Sequence, residues 1–254
     1  MSRAFYRKGA QMKQTDILGI RFEANKESDV HTIIENTISE KKRISIFTPN
    51  PDMIMKAQKD TEFKKILNSA DILLPDGIGV ILASKMLSCP LPERITGIDI
   101  GEYILTLSAK RGLRVFLLGG KQGVAELAAK KLCERYKGLC ICGAHHGYFD
   151  KNGKENKDVA DYVSAQKPDI VFVCFGAPSQ EKWICENKEL IPTAKIFIGL
   201  GGSLDVWSEN VKRAPVIFRK LGLEWLWRVT HDLRKADRLF IIPSFFKSIW
   251  SSRV

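Results

Sequence analysis

The sequence predicts an α/β fold: a mostly parallel sheet with helices on both faces, followed by a helical C-terminal appendage. Three observations carry that expectation. Short apolar runs rich in β-branched residues alternate with segments of helical spacing almost from end to end, the pattern of parallel strands buried on both faces. Polar loops rich in Gly and Pro follow at least six of these runs, and parallel sheets bind ligands beyond the carboxyl ends of their strands. The surplus positive charge lies at the two chain ends, leaving a neutral middle.

In chain order, an apolar run at 17–22 precedes helical spacing over 29–41. The second run, 44–48, leads into Thr48-Pro49-Asn50-Pro51-Asp52 and a helix expected over 58–67. The third, 72–74, leads into Pro75-Asp76-Gly77-Ile78-Gly79, with helical spacing again over 99–110. The fourth, 115–118, runs into Gly119-Gly120-Lys121-Gln122-Gly123 and a helix over 124–136. The fifth, 139–143, ends near His145-His146-Gly147-Tyr148. The sixth, 170–175, ends in Gly176-Ala177-Pro178-Ser179-Gln180-Glu181 and opens a helix over 180–189. The seventh, 196–200, ends in Gly201-Gly202-Ser203. Loops of one kind at one end of so many strands predict a single crevice.

The 254 residues suffice for one large α/β domain with an appendage, and the 44% hydrophobic content supports a globular core. No apolar stretch reaches the ~18 residues of a spanning helix, and no signal-peptide run opens the chain. The expected organisation is a polar basic extension over 1–14, a Rossmann-like core over 15–214, and a helical basic and aromatic appendage over 215–254. The six cysteines are scattered through apolar runs and read as reduced core thiols, not as a zinc or redox set.

Of the net charge of +11, residues 1–14 contribute four basic side chains and no acid. Residues 212–254 carry ten Lys and Arg against Glu224, Asp232 and Asp237. Such ends suit an anionic partner. The interleaved Trp225, Trp227, Phe240, Phe245, Phe246 and Trp250 favour a phospholipid surface over nucleic acid. No Pro or Gly interrupts 224–240, and at 100° per residue Arg228, His231, Lys235 and Arg238 share an arc of about 80°. Leu226, Val229, Leu233, Ala236 and Phe240 share another, so an amphipathic helix with a basic stripe is expected, with an ordinary docked surface helix as the alternative. Pro243 is expected to break it, and Phe245, Phe246 and Trp250 to anchor the chain at a headgroup layer.

Gly119-Gly120, Gly176-Ala177-Pro178 and Gly201-Gly202-Ser203 each end a strand and open a helix, as phosphate sites do. Tight βα turns need the same glycines, so each loop alone is weak evidence. Several together favour a nucleotide diphosphate. No Walker sequence and no dinucleotide fingerprint after the first strand is present, which disfavours a P-loop ATPase and a dehydrogenase. Asp76 follows an apolar run where strand gives way to helix, as either a helix cap or a general base. Thr48 and Asn50, placed equivalently after a neighbouring strand, offer a hydroxyl and an amide, with capping again the alternative. His145 and His146 are adjacent on a strand end, expected to point apart and so not to bind metal together. No Asp-x-Asp pair follows a strand. Neither a metal nor a cofactor is expected.

Thr48-Pro49-Asn50, Leu74-Pro75-Asp76-Gly77, Pro92-Glu93-Arg94-Ile95-Thr96-Gly97, His146-Gly147-Tyr148-Phe149, and Gly176-Ala177-Pro178-Ser179-Gln180-Glu181-Lys182-Trp183 resemble the WecG/TagA/CpsF glycosyltransferases, glycosyltransferase family 26. So do Gly201-Gly202-Ser203, Val211-Lys212-Arg213-Ala214-Pro215 and Arg219-Lys220-Leu221-Gly222-Leu223-Glu224-Trp225-Leu226. The likeness runs from about residue 16 to about residue 238. It implies an inverting transferase acting on a UDP-sugar. In the best-known members the donor is UDP-N-acetylmannosamine and the acceptor N-acetylglucosamine on undecaprenyl diphosphate, for teichoic acid or related polymers. Members in capsule and exopolysaccharide synthesis use other UDP-sugars. The resemblance implies that Asp76 is the general base, that Thr48 positions substrate beside it, and that Asn50, Arg94 and Gln180 line the substrate pocket. Gly119, Gly176, Gly201 and Gly202 would surround the nucleotide. The family's appendage arginines, thought to close over the site at the membrane, correspond to Arg228, Lys235 and Arg238. A lysine at the middle position departs from the pattern, since it cannot clamp a diphosphate bidentately. A peripheral enzyme at the cytoplasmic face of a bacterial plasma membrane is thus expected. The competing readings are a nucleic-acid-binding protein with a Rossmann-like body and a nucleotide-sugar oxidoreductase.

Overall fold

The computed structural model describes residues 14–231 and 238–252, apart from the side chains of Arg228, His231 and Arg238. The chain forms two compact units, one drawn from residues up to 30, 48–96 and 213 onwards, the other from 31–47 and 97–212. The fold is α/β with parallel strands flanked by helices, as the alternation of apolar runs predicts.

The second unit holds most of α1 (Glu27–Ser39), then β3 (Ile44–Phe47), α5 (Gly97–Arg111), β5 (Arg114–Gly119), α6 (Val124–Arg135), β6 (Cys140–His145), α7 (Lys154–Ala165), β7 (Ile170–Cys174), α8 (Ser179–Asn187), β8 (Ile196–Gly199) and α9 (Ser203–Trp207). Its strands pair in parallel in the order β3-β8-β7-β5-β6. Ile170, Val171, Phe172 and Val173 are all fully buried, as are Val115 to Leu118. A strand covered on both faces shows no apolar–polar alternation, which is why these runs read as continuous. Trp207 is also fully buried, its ring 5.6 Å from that of Phe172. The chain leaves β5 toward β6 on one side and β7 toward β8 on the other. The carboxyl ends of β5 and β7 therefore form a topological switch point, where loops diverge and leave a crevice for a ligand.

The first unit begins with a hairpin, β1 (Gln14–Ile17) and β2 (Ile20–Glu23), where one strand over 17–22 was expected. Leu18 and Gly19 both have positive φ, 54° and 81°, the two-residue turn that suits a twisted hairpin. The Asp16 carboxylate accepts the Gly19 N–H at 2.6 Å. The unit continues with α2 (Pro51–Lys59), α3 (Thr61–Ser69), β4 (Ile72–Leu73) and α4 (Ile78–Met86). The helix expected over 58–67 is two helices, because Asp60 ends α2 and caps α3, its side chain accepting the Phe63 N–H at 2.9 Å.

The C-terminal part supplies α10 (Val216–Lys220), α11 (Glu224–His231) and α12 (Arg238–Ser251). Of the helix expected over 224–240, residues 232–237 lie outside the described residues. Two expectations are corrected here. Pro243 lies inside α12 and does not end it. Phe245, expected at a lipid interface, is fully buried with Ile249 as α12 packs against α2 and α4. Burying two such side chains is worth about 1.5–3 kcal/mol each, which offsets the ~3 kcal/mol cost of a proline within a helix. Phe246 is half-buried, and Trp250 alone of the three expected anchors is exposed, at 67%. Among the described residues no helix is long and apolar enough to cross a membrane.

Candidate active site

In the first unit, three segments meet around Asp76. Its backbone N–H donates to the Pro49 carbonyl at 3.2 Å, tying its loop to Thr48-Pro49-Asn50. The Ile95 N–H donates to the Pro75 carbonyl at 3.2 Å, tying the same loop to Arg94. The cap position of α4 is held by Gly77, so Asp76 lies one residue before it. Asp76 is half-buried and Thr48 is buried. Asn50 caps α2, its Oδ1 accepting the Met53 N–H at 3.1 Å, so the cap that was weighed for Thr48 falls two residues on.

Arg94 is largely buried and bound to the start of the appendage. Its Nη1 donates to Glu224 Oε2 at 3.1 Å and its Nη2 to the Arg219 carbonyl at 2.7 Å. Arg213 Nε lies 3.7 Å from the other Glu224 oxygen, so one carboxylate serves two guanidinium groups. With side chains only 12–18% exposed, desolvation makes each partner depend on the others. The sequence gives no sign of this pairing of Arg213 and Arg94 with Glu224, which becomes visible once the segments around 94, 213 and 224 are seen to converge.

In the second unit, Gly119, Gly176, Gly201 and Gly202 fall at strand ends as expected, at β5, β7 and β8. Gly119 has φ 143°, and a Cβ there would sit 2.5 Å from the Cys174 carbonyl oxygen, so only glycine allows β5 and β7 to close at their ends. Gln180 is 3% exposed, and both polar atoms of its carboxamide are hydrogen-bonded. Oε1 accepts the N–H groups of Gly176 at 3.1 Å and Gly201 at 2.9 Å, while Nε2 donates to the fully buried Glu181 carboxylate at 2.7 Å. Gln180 therefore braces two glycine loops, and those two amide N–H groups donate to it. Glu181, which fixes the orientation of the amide, was not singled out from the sequence.

His145 and His146 do not point apart. Their rings lie 4.5 Å apart, because β6 ends at His145 and strand alternation stops there. The imidazole Nδ1 of His145 lies 2.8 Å from the His146 carbonyl, and Tyr148 N–H donates to His146 Nδ1 at 3.3 Å. With Tyr148, Phe149 and Tyr162 they line a cleft of about 320 Å³.

Residues 15–254 match the Glycosyl transferase WecG/TagA/CpsF family. The chain belongs to this glycosyltransferase family. It is 36% identical over 212 residues, 84% of this chain and 80% of the relative, to an N-acetylglucosaminyldiphosphoundecaprenol N-acetyl-beta-D-mannosaminyltransferase of Bacillus spizizenii. Proteins of the same description from Staphylococcus aureus and Bacillus subtilis are 34% identical over 238 residues and 36% over 222. These matches cover 93% and 87% of this chain, and 92% and 85% of the relatives.

Among the tail cations of this glycosyltransferase, Arg228 lies in α11 and Arg238 opens α12, while Lys235 lies outside the described residues. The transferase carries six free cysteines, of which Cys174 is buried but Cys133 is exposed, so not all are core thiols. Burial pushes the Cys142 thiol up to about 11, which suits an inert side chain and not a nucleophile.

Proposed function

We propose that this transferase moves N-acetylmannosamine from UDP to N-acetylglucosamine carried on undecaprenyl diphosphate, with inversion and without a metal, in teichoic acid or related surface polymer synthesis. The names of the three relatives support the acceptor and the transferred sugar. The observation that carries the chemistry is Asp76, held by hydrogen bonds of its loop to the Thr48 and Arg94 segments while Gly77 occupies the helix cap. Direct displacement needs one base at the acceptor hydroxyl and stabilisation of the departing diphosphate. The Asp76 carboxylate takes the hydroxyl proton as that oxygen attacks the anomeric carbon, and the bond to the UDP oxygen breaks. Thr48, Asn50 and Arg94 orient the substrates beside it. In the second unit, the switch point between β5 and β7 suits the nucleotide, with Gln180 holding its loops in place. Arg228, Lys235 and Arg238 neutralise diphosphate charge, and the basic tail holds the enzyme to anionic lipid.

The test is turnover of a panel of UDP-sugars with a short-chain lipid-diphosphate acceptor carrying N-acetylglucosamine. UDP-N-acetylmannosamine should be the preferred donor, giving a product of inverted anomeric configuration, and EDTA should leave the rate unchanged. Preference for another UDP-sugar, retention of configuration, or chelator inactivation reversed by added metal would each contradict the corresponding part.

A further inference from the structure

Lys151 occupies an unusual place for a lysine in the second unit. Its ammonium lies 4.5 Å from the centroids of both the Phe149 and the Phe175 rings, which meet edge to face at 5.6 Å. It donates to the Gly147 carbonyl at 2.6 Å and reaches the Phe149 carbonyl at 3.4 Å. The other side of Gly147 is equally constrained, since its N–H donates to the Gly120 carbonyl at 2.9 Å. A Cβ on Gly147 would lie 3.1 Å from Gly119 Cα and 2.7 Å from the Phe175 ring. The ammonium thus joins the loops that follow β6 and β7, and the Gly147 N–H joins the first of these to the loop that follows β5. Two of these flank the topological switch point, and the third presents Tyr148, which is 71% exposed.

We infer that Lys151 is a positioning residue of the transferase, its ammonium clamping the 146–149 loop against Phe175 after β7, so that the Gly147 N–H stays bonded to the Gly120 carbonyl and the nucleotide end of the crevice keeps its shape. A surface lysine held for solubility would point into water. Here burial draws its pKa down, the Asp150 carboxylate opposing that, and the two ring faces and the carbonyls replace the lost hydration. The inference rests on the reading that a UDP-sugar binds at these loops.

The full-length chain is tested as Lys151→Met, which keeps the apolar stem and removes the charge and the donors. UDP affinity is measured by calorimetry, donor KM and kcat by turnover, and exchange of the Gly147 amide by NMR. UDP Kd and donor KM should rise about tenfold, with kcat changing less than about threefold, the scale of a lost desolvated cation–π contact and charge-assisted hydrogen bond. Gly147 exchange should accelerate. Lys151→Arg, able to stack between the rings and donate to the carbonyls, should restore KM. A methionine variant with UDP affinity within about twofold of the parent, or an arginine variant as impaired as the methionine one, overturns the inference. If the methionine variant does not fold, Lys151→Arg and Lys151→Gln are compared, and equal KM values overturn it. A parent that does not bind UDP refutes the donor reading instead, and unchanged Gly147 exchange in Lys151→Met then refutes the clamp by itself.

Discussion

The Gln180 carboxamide accepts the backbone N–H groups of Gly176 and Gly201 from two separate loops, and it is itself held by a buried carboxylate. Gln180→Ala leaves both half-buried donors without that acceptor, at a cost of up to about 1–3 kcal/mol each. The expected outcome is a lower unfolding midpoint together with weaker UDP binding, because the loops after β7 and β8 lose their common tether. A variant as stable as the parent that only loses turnover would instead make Gln180 a direct substrate contact. The distinction was hidden in the sequence, where the family resemblance implies only that Gln180 lines the substrate pocket. Only the pairing of β7 with β8 shows that the Gly176 and Gly201 amides converge on it. Asn50 was hidden less deeply: an Asn before Pro at a helix start is a cap by its chemistry alone.

At the scale of elements, α12 is a core helix of the first unit with an exposed outer side. Phe245→Ala should destabilise the protein by about 3–5 kcal/mol, the range for truncating a buried aromatic, read as a loss in thermal or denaturant midpoint. Trp250→Ala, at an exposed position, should change stability by less than about 0.5 kcal/mol. Comparable effects of the two substitutions would contradict this packing. Deleting residues 216–254 would uncover the faces of α2 and α4, so loss of turnover in such a truncation reports on packing as much as on the tail cations. The apolar residues of the tail are legible in the sequence, but not which of them face protein. Phe245 and Ile249, four apart, share one helical face, but both lie beyond the Pro243 expected to end the helix, so that face is not legible as a continuation of the one before it. The hairpin and the Asp60 junction were lost for a similar reason, since Leu18 and Asp60 each turn the chain within an apparently continuous pattern.

Across the whole molecule, five of the seven apolar runs located every strand of the second unit to within two residues at either end. This worked because all of these strands but the half-buried β6 are buried almost throughout, where mostly aliphatic and aromatic residues are tolerated. The division into two units left no comparable signal, because both draw on segments scattered along the chain. The clustering of charge in residues 212–254 predicts a measurable property of the intact protein: co-sedimentation with liposomes that contain anionic lipid, at ~1 kcal/mol per basic residue near the surface. That binding should weaken as salt is raised, and equal binding to neutral liposomes would contradict it. The central claim, base catalysis by Asp76, is tested most directly by turnover and UDP binding of Asp76→Asn. The amide keeps the size of the side chain but cannot take up the acceptor proton, so turnover should fall by about 10²–10⁴ while UDP affinity and the unfolding midpoint stay at parental values. Turnover within a few-fold of the parent in a folded Asp76→Asn protein would place the base elsewhere and contradict the account.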